Sequence, residues 1–151
     1  MLSVTAEYAL RAVLMLARDA TRSVRADEIA ASLDAPRNYL AKTLNALAKA
    51  GIVNSTRGPL GGFSLAANPE TLTVGDIASV FDASATTRMC LLRGQLCDPS
   101  HPCSAHARWS DVSDSARDAM ATTIAALLGS TAADSAAAPT PSSTNAHVHD
   151  R

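Results

Sequence analysis

Three observations predict a mainly α fold in which a helix-turn-helix is followed by a two-stranded hairpin and closed by a long C-terminal helix. Apolar residues recur at helical spacing through the first fifty residues, with a sharp break at Asp34-Ala35-Pro36. Two short alternating runs then flank a glycine and proline cluster over 52–66. A further apolar stripe, from Trp109 to Leu127, returns at helical spacing once residues 84–103 have lost all periodicity.

In the first helix, expected over residues 3–19, Leu10, Val13, Leu14 and Ala17 recur at i, i+3, i+4, i+7 and give one buried face. The second helix runs from about Ala26 to Leu33, with Asp27 as its expected cap. After the Asp34 turn, Pro36 suits the first position of helix three, which extends to about Ala50 and stops at Gly51. Two helices joined by so short a turn form a helix-turn-helix.

The two faces of helix three differ in kind. At 100° per residue Leu40, Leu44 and Leu47 fall within about 60°, and Asn38, Lys42, Asn45 and Lys49 fall within a similar arc opposite. A merely solvated face usually mixes acid with base, whereas this one has no carboxylate. The following hairpin carries Arg57 beside Gly58-Pro59-Leu60-Gly61-Gly62, where glycines let the backbone approach a partner closely. A hairpin in this place is a wing, and its arginine is set to enter a minor groove or grip a phosphate. The fold class is thus a winged helix-turn-helix.

Charge agrees in its distribution rather than its total. The 151 residues carry 13 basic and 14 acidic side chains, a net charge of -1. Residues 1–68, however, hold eight basic and five acidic groups, a net of +3, leaving about -4 for the remainder. The length excludes a large multidomain enzyme. The N-terminal stripe is interrupted by Glu7 and Arg11, so it reads as neither a signal peptide nor a spanning helix, and a cytoplasmic protein without a membrane partner is expected. No nucleophile-base pair, phosphate loop or paired carboxylates argue for catalysis or a small-molecule substrate.

Thr73 and Asp76 form a capping pattern that opens a helix through Phe81. Every cysteine of the chain lies in the aperiodic stretch beyond it. Cys90, six residues, Cys97, five residues, Cys103, two residues and His106 bring four soft or borderline ligands together beside Gly94, Pro99 and Pro102. An odd number of cysteines in one loop suits iron or zinc better than a disulfide framework. From Ser104, Trp109, Val112, Ala116, Met120, Thr123 and Leu127 form one stripe, with Asp111, Asp114 and Asp118 turned away. A helix of about 25 residues must bury that stripe on its own domain or on a second subunit, and a two-fold partner is expected. Beyond Gly129 the Ala/Ser/Thr/Pro-rich segment is read as a disordered tail, with His147 and His149 solvated.

The opening SVTAEYALRAVLMLA, the wing RGPLGGFSLA leading into TVGDIASVFD, and the ending CSAHARWSDVSD together resemble the family of dimeric winged-helix repressors that includes IscR and NsrR, over roughly residues 1–129. The resemblance implies a homodimer joined by the long helix, operator DNA bound through helix three and the wing, and an iron-sulfur cluster that sets affinity. Cys90, Cys97 and Cys103 match the family's cluster cysteines. His106 matches the histidine that completes a 2Fe-2S cluster in the IscR-like branch. The first cysteine interval is six residues where the IscR-like pattern has five, and Glu7 stands where NsrR-like members place an aspartate that ligates a 4Fe-4S cluster from the other subunit. Glu7 is therefore the alternative fourth ligand, unless it only pairs with Arg11 at i+4. The family's base-reading region maps onto Asn38, Tyr39 and Lys42, and its wing arginine onto Arg57. Ala41 replaces an acidic residue of the IscR-like proteins, which removes an acceptor for cytosine N4.

The resulting expectation is a repressor-type regulator, not an enzyme, whose operator binding responds to iron-sulfur status, redox state or nitric oxide. Residues 1–82 form its DNA-binding domain, 83–103 its cluster loop, 104–129 its dimerisation helix and 130–151 its tail. The competing expectations are a winged-helix repressor with structural zinc or no metal, and a small iron-sulfur electron carrier.

Overall fold

The computed structural model describes residues 2–58, 61–82, 89–96 and 98–136, the last six of these by backbone alone. Helix α1 spans Val4–Arg18 and starts where the Ser3 hydroxyl accepts the Ala6 amide at 3.3 Å. Its most buried line is Ala9, Ala12, Val13 and Leu16, while Leu10, Leu14 and Ala17 are half-buried against the same core. The alanines let neighbouring helices approach α1 closely, which turns the buried face slightly from the one the larger residues mark out.

Helix α2 covers Ala26–Leu33 and α3 Arg37–Lys49. The N-cap of α2 is Arg25 and not Asp27, whose carboxylate instead pairs with Arg37 at the start of α3. Pro36 likewise takes the cap position of α3, one residue before the expected place. Asp34 adopts the left-handed conformation (φ 49°) and directs its amide to the carbonyls of Ala30 and Ala31, which ends α2 and sets the turn. Ile29 and Leu33 from α2 then meet Leu40, Leu44 and Leu47 of α3 in one core.

Strands β1 (Val53–Thr56) and β2 (Gly62–Leu65) pair antiparallel in the register Val53 with Leu65 through Thr56 with Gly62. The wing is anchored by Val24, whose N–H and carbonyl exchange 2.8 Å hydrogen bonds with Phe63. Two glycines are required here by space. A Cβ on Gly61 would lie 2.2 Å from the Thr56 carbonyl oxygen, and one on Gly62 would lie 2.6 Å from that of Val24.

Helix α4 is short, Val74–Ser79, and opens with the expected capping box: the Asp76 amide donates to the Thr73 hydroxyl, and the Thr73 amide to the Asp76 carboxylate. The C-terminal part departs from expectation. Instead of one helix over 104–129 there are two, α5 (His106–Met120) and α6 (Ile124–Ala136). Residues 121–123 are held open by backbone pairing to residues 72–74 at the start of α4, where the Val74 amide donates to the Thr122 carbonyl (3.0 Å) and the Ile124 amide to that of Leu72 (2.9 Å). Ile124 is fully buried, and Leu127 and Leu128 pack on the core beside it. Thr122, Thr123 and Ile124 are consecutive β-branched residues, which fit an extended break better than a helix interior. The expected tail boundary at Gly129 moves as well, since α6 continues to Ala136; residues 137–151, with His147 and His149, lie outside the described residues. No helix among the described residues is long and apolar enough to cross a membrane.

Candidate functional site

On α3, Leu40, Leu44 and Leu47 are fully buried and Thr43 nearly so, while Asn38, Lys42, Asn45 and Lys49 all lie on the opposite, solvent-facing side, with Asn38, Lys42, Asn45 and Lys49 exposed. Burial of the leucine face fixes the rotation of the helix, and the amide and ammonium groups consequently point away from the protein. No described carboxylate forms an ion pair with Lys42, Lys49 or Arg57. Cations without a carboxylate partner among the described residues are available to phosphate. Arg57 is exposed at the end of β1, and Gly58 after it takes a φ of 115° that turns the chain. Tyr39 is only 37% exposed: its ring meets Tyr8 edge-on at 5.9 Å and its hydroxyl bonds to Thr5, so α1 holds this side chain.

The second group of residues lies around the cysteine loop. Cys90 is buried at the base of a turn closed by its own amide to the Gln95 carbonyl (2.6 Å) and by the Gly94 amide to its carbonyl (3.1 Å). Gly94 has a φ of 63°, the left-handed geometry this turn requires. The Cys103 sulfur lies 3.8 Å from that of Cys90. Three residues on, the His106 amide donates to the Cys103 carbonyl and α5 begins. A small pocket is lined by Cys90, Cys103 and His106 together with Arg93, Asp98 and His101. The loop is tied to α5 by the Trp109 indole, which donates to the Met89 carbonyl at 2.7 Å.

Hydrogen bonds from the Leu92 and then the Arg93 backbone hold the Cys90 thiol below its ordinary pKa, assisted by Cys103 and by the Arg93 charge. This is the environment of a thiolate ligand. In a tetrahedral set with metal-sulfur bonds of about 2.3 Å, two thiolate sulfurs stand about 3.8 Å apart. The separation of Cys90 and Cys103 therefore suits two ligands of one metal. Among the described residues no three His, Cys, Asp or Glu side chains yet converge as a complete set, and Cys97 lies outside the described residues. Glu7 is an exposed residue of the first turn of α1, is not among the residues lining the cysteine pocket, and makes no ion pair with Arg11 among the described residues.

Two pocket residues are missed by sequence reasoning. The Asp98 carboxylate faces the His101 Nδ1 at 2.9 Å, and its other oxygen accepts the Ser100 amide at 2.9 Å. The carboxylate is held below the usual range, chiefly by His101. Their i, i+3 spacing is visible in the sequence, but nothing local to it indicates that His101 lines the same pocket as Cys90 and Cys103.

A family model described as Rrf2, iron-dependent transcriptional regulator, matches residues 2–130. The chain belongs to the Rrf2 family of transcriptional regulators. An HTH-type transcriptional regulator of Aquifex aeolicus (strain VF5) is 39% identical over 116 residues, 76% of this chain and 81% of that one. The transcriptional regulator IscR of Escherichia coli is 36% identical over 77 residues, 51% of this chain but only 47% of IscR. Among solved structures, T. potens IscR superposes with a TM-score of 0.67 at 26% identity, covering 93% of each chain. CymR of B. subtilis, a global cysteine regulator, gives a TM-score of 0.72 at 24% identity over 86% of this chain and 97% of its own. The Rrf2 relatives thus support the winged-helix fold expected from the sequence, and they are transcriptional regulators rather than enzymes.

Proposed function

We propose that this chain is a dimeric, cytoplasmic DNA-binding regulator, acting as a repressor, whose operator affinity is set by an iron-sulfur cluster held by Cys90, Cys97, Cys103 and His106. The observation that carries this reading is the pocket in which the Cys90 and Cys103 sulfurs face each other at 3.8 Å at the very start of α5. A bound cluster supplies one-electron chemistry and a target for oxidants or nitric oxide. The chain supplies the rest. Amides of the 90–94 turn stabilise a thiolate, and amide-to-sulfur hydrogen bonds of this kind also tune a cluster's potential. His106 connects the pocket to α5 through the backbone, and Trp109 connects it through the side chain. A neutral nitrogen ligand within three residues of Cys103 favours a 2Fe-2S cluster; Glu7 of a second copy remains the alternative ligand, which would mean 4Fe-4S.

On the DNA side, α3 enters the major groove, with Asn38 and Asn45 facing base edges and Lys42 and Lys49 near phosphates. Arg57 brings the wing to the adjacent backbone or minor groove. Tyr39, anchored by Tyr8, offers only its exposed edge to DNA. The dimer rests on α5, a 15-residue helix with no buried side chain in the single chain. Residues 1–82 act as the reading domain, the loop up to Cys103 as the sensor, and α5 as the link between subunits.

Zinc is the second reading, because the same sulfur separation suits a single tetrahedral zinc ion. Anaerobic purification followed by a visible spectrum and iron and sulfide analysis separates the two. The proposed function requires a coloured protein with iron and sulfide in comparable amounts, both lost in Cys103→Ala. A colourless protein carrying zinc would establish the second reading, and a colourless protein without metal would exclude both.

A further inference from the structure

We propose that His101, oriented by Asp98, is a second imidazole ligand of the cysteine pocket, able to take the place of His106 while the cluster stays bound. The inference rests on the iron-sulfur reading above and extends it to a residue outside the expected ligand set. His101 lines the same pocket as Cys90, Cys103 and His106. Its Nδ1 stands 2.9 Å from the Asp98 carboxylate, an acceptor-only group when ionised, which in the neutral ring favours the tautomer that donates from Nδ1 and keeps the lone pair on Nε2. Histidines that bind metals are characteristically held in this way, by a carboxylate on the nitrogen away from the metal. Asp98 is itself fixed, because its second oxygen accepts the Ser100 amide.

An Asp-His pair at i, i+3 on an open surface contributes little to stability. What sets this pair apart is its place, at the mouth of a pocket whose floor carries two thiols. The His101 side chain is 80% exposed, so no packed neighbour has to yield when the ring swings inward. His106 is the first residue of α5, and its reach is fixed by the helix. Ligation by His106 therefore ties the metal to α5, and ligation by His101 leaves the metal attached to the loop alone. The chain has two loaded states that differ in whether α5 is held.

The test is anaerobic reconstitution with ferrous iron and sulfide of wild-type protein carrying ¹⁵N-labelled histidine, of His106→Ala, of His106→Ala with His101→Ala, and of His106→Ala with Asp98→Asn. Iron and sulfide per chain and the imidazole hyperfine coupling of the reduced cluster are measured. His106→Ala is expected to keep iron, sulfide and an imidazole coupling of altered size. Adding His101→Ala should abolish that coupling, and adding Asp98→Asn should weaken iron retention against a chelator by about 10-fold or more. A His106→Ala protein that loses its iron, or keeps it with no imidazole coupling, overturns the proposal, as does a coupling unaffected by His101→Ala. Wild-type protein that takes up neither iron nor sulfide overturns the underlying reading first, and this one with it.

Discussion

Lys42 and Asn38 occupy the same exposed face of α3 but are expected to do different work. Replacing Lys42 by Ala should weaken binding about equally on all DNA sequences and lower the magnitude of the salt slope by about 0.9 for each phosphate left unneutralised in each subunit. Replacing Asn38 by Ala should instead cost about 1–3 kcal/mol on the preferred operator and little on unrelated DNA. Salt-dependent binding isotherms on both DNAs distinguish the two. Beneath them, Leu47 is fully buried, and Leu47→Ala should lower unfolding free energy by about 2–5 kcal/mol in a denaturant titration. The separation into a leucine face and an amide and ammonium face is legible in the sequence, because a helix converts spacing directly into direction. The setting of Tyr39 is not. Its partners Thr5 and Tyr8 come from another helix, and no local period encodes that packing. His101 is silent in the sequence for the same reason: only the fold brings it into the lining of the pocket with Cys90 and Cys103.

Among the elements, α1 to α4 and the wing lie close to where propensity, capping and turn residues put them. The capping box at α4 is one such local rule, and Thr73→Ala should cost about 1 kcal/mol, seen as a lowered denaturation midpoint. The C-terminal helix departs from its sequence pattern because helical spacing continues across 121–123, while the pairing that opens the chain there comes from residues 69–74, far away in sequence. The correction moves the expected subunit seam. Leu127 packs on the chain's own core, Met120 lines a groove with Thr73, Gly75 and Asp76 beside α4, and Trp109 bonds to the loop. Val112, by contrast, is 57% exposed, and Ala116 one turn further on is exposed as well. Val112→Glu should therefore dissociate the dimer, since a buried, unpartnered carboxylate is costly. Sedimentation that finds Val112→Glu still dimeric at micromolar concentration would move the seam elsewhere.

Across the whole molecule, the cysteine loop leads into α5, α5 into the paired segment 121–123, and that segment joins α6 to the core that sets the rotation of α3. Under the proposed function, a change of ligand at the pocket would act first on the start of α5. In a dimer, α5 fixes the spacing of two recognition helices over half-sites about 34 Å apart, so modest movement there is enough to alter affinity. The most direct test measures operator affinity anaerobically for one preparation, first loaded with its cluster and then stripped of it by chelation, at fixed salt. Cluster control of DNA binding predicts a shift of about 5–150-fold in Kd between the two forms, abolished in Cys103→Ala. Equal affinity in both forms of a protein that does carry the cluster would contradict it.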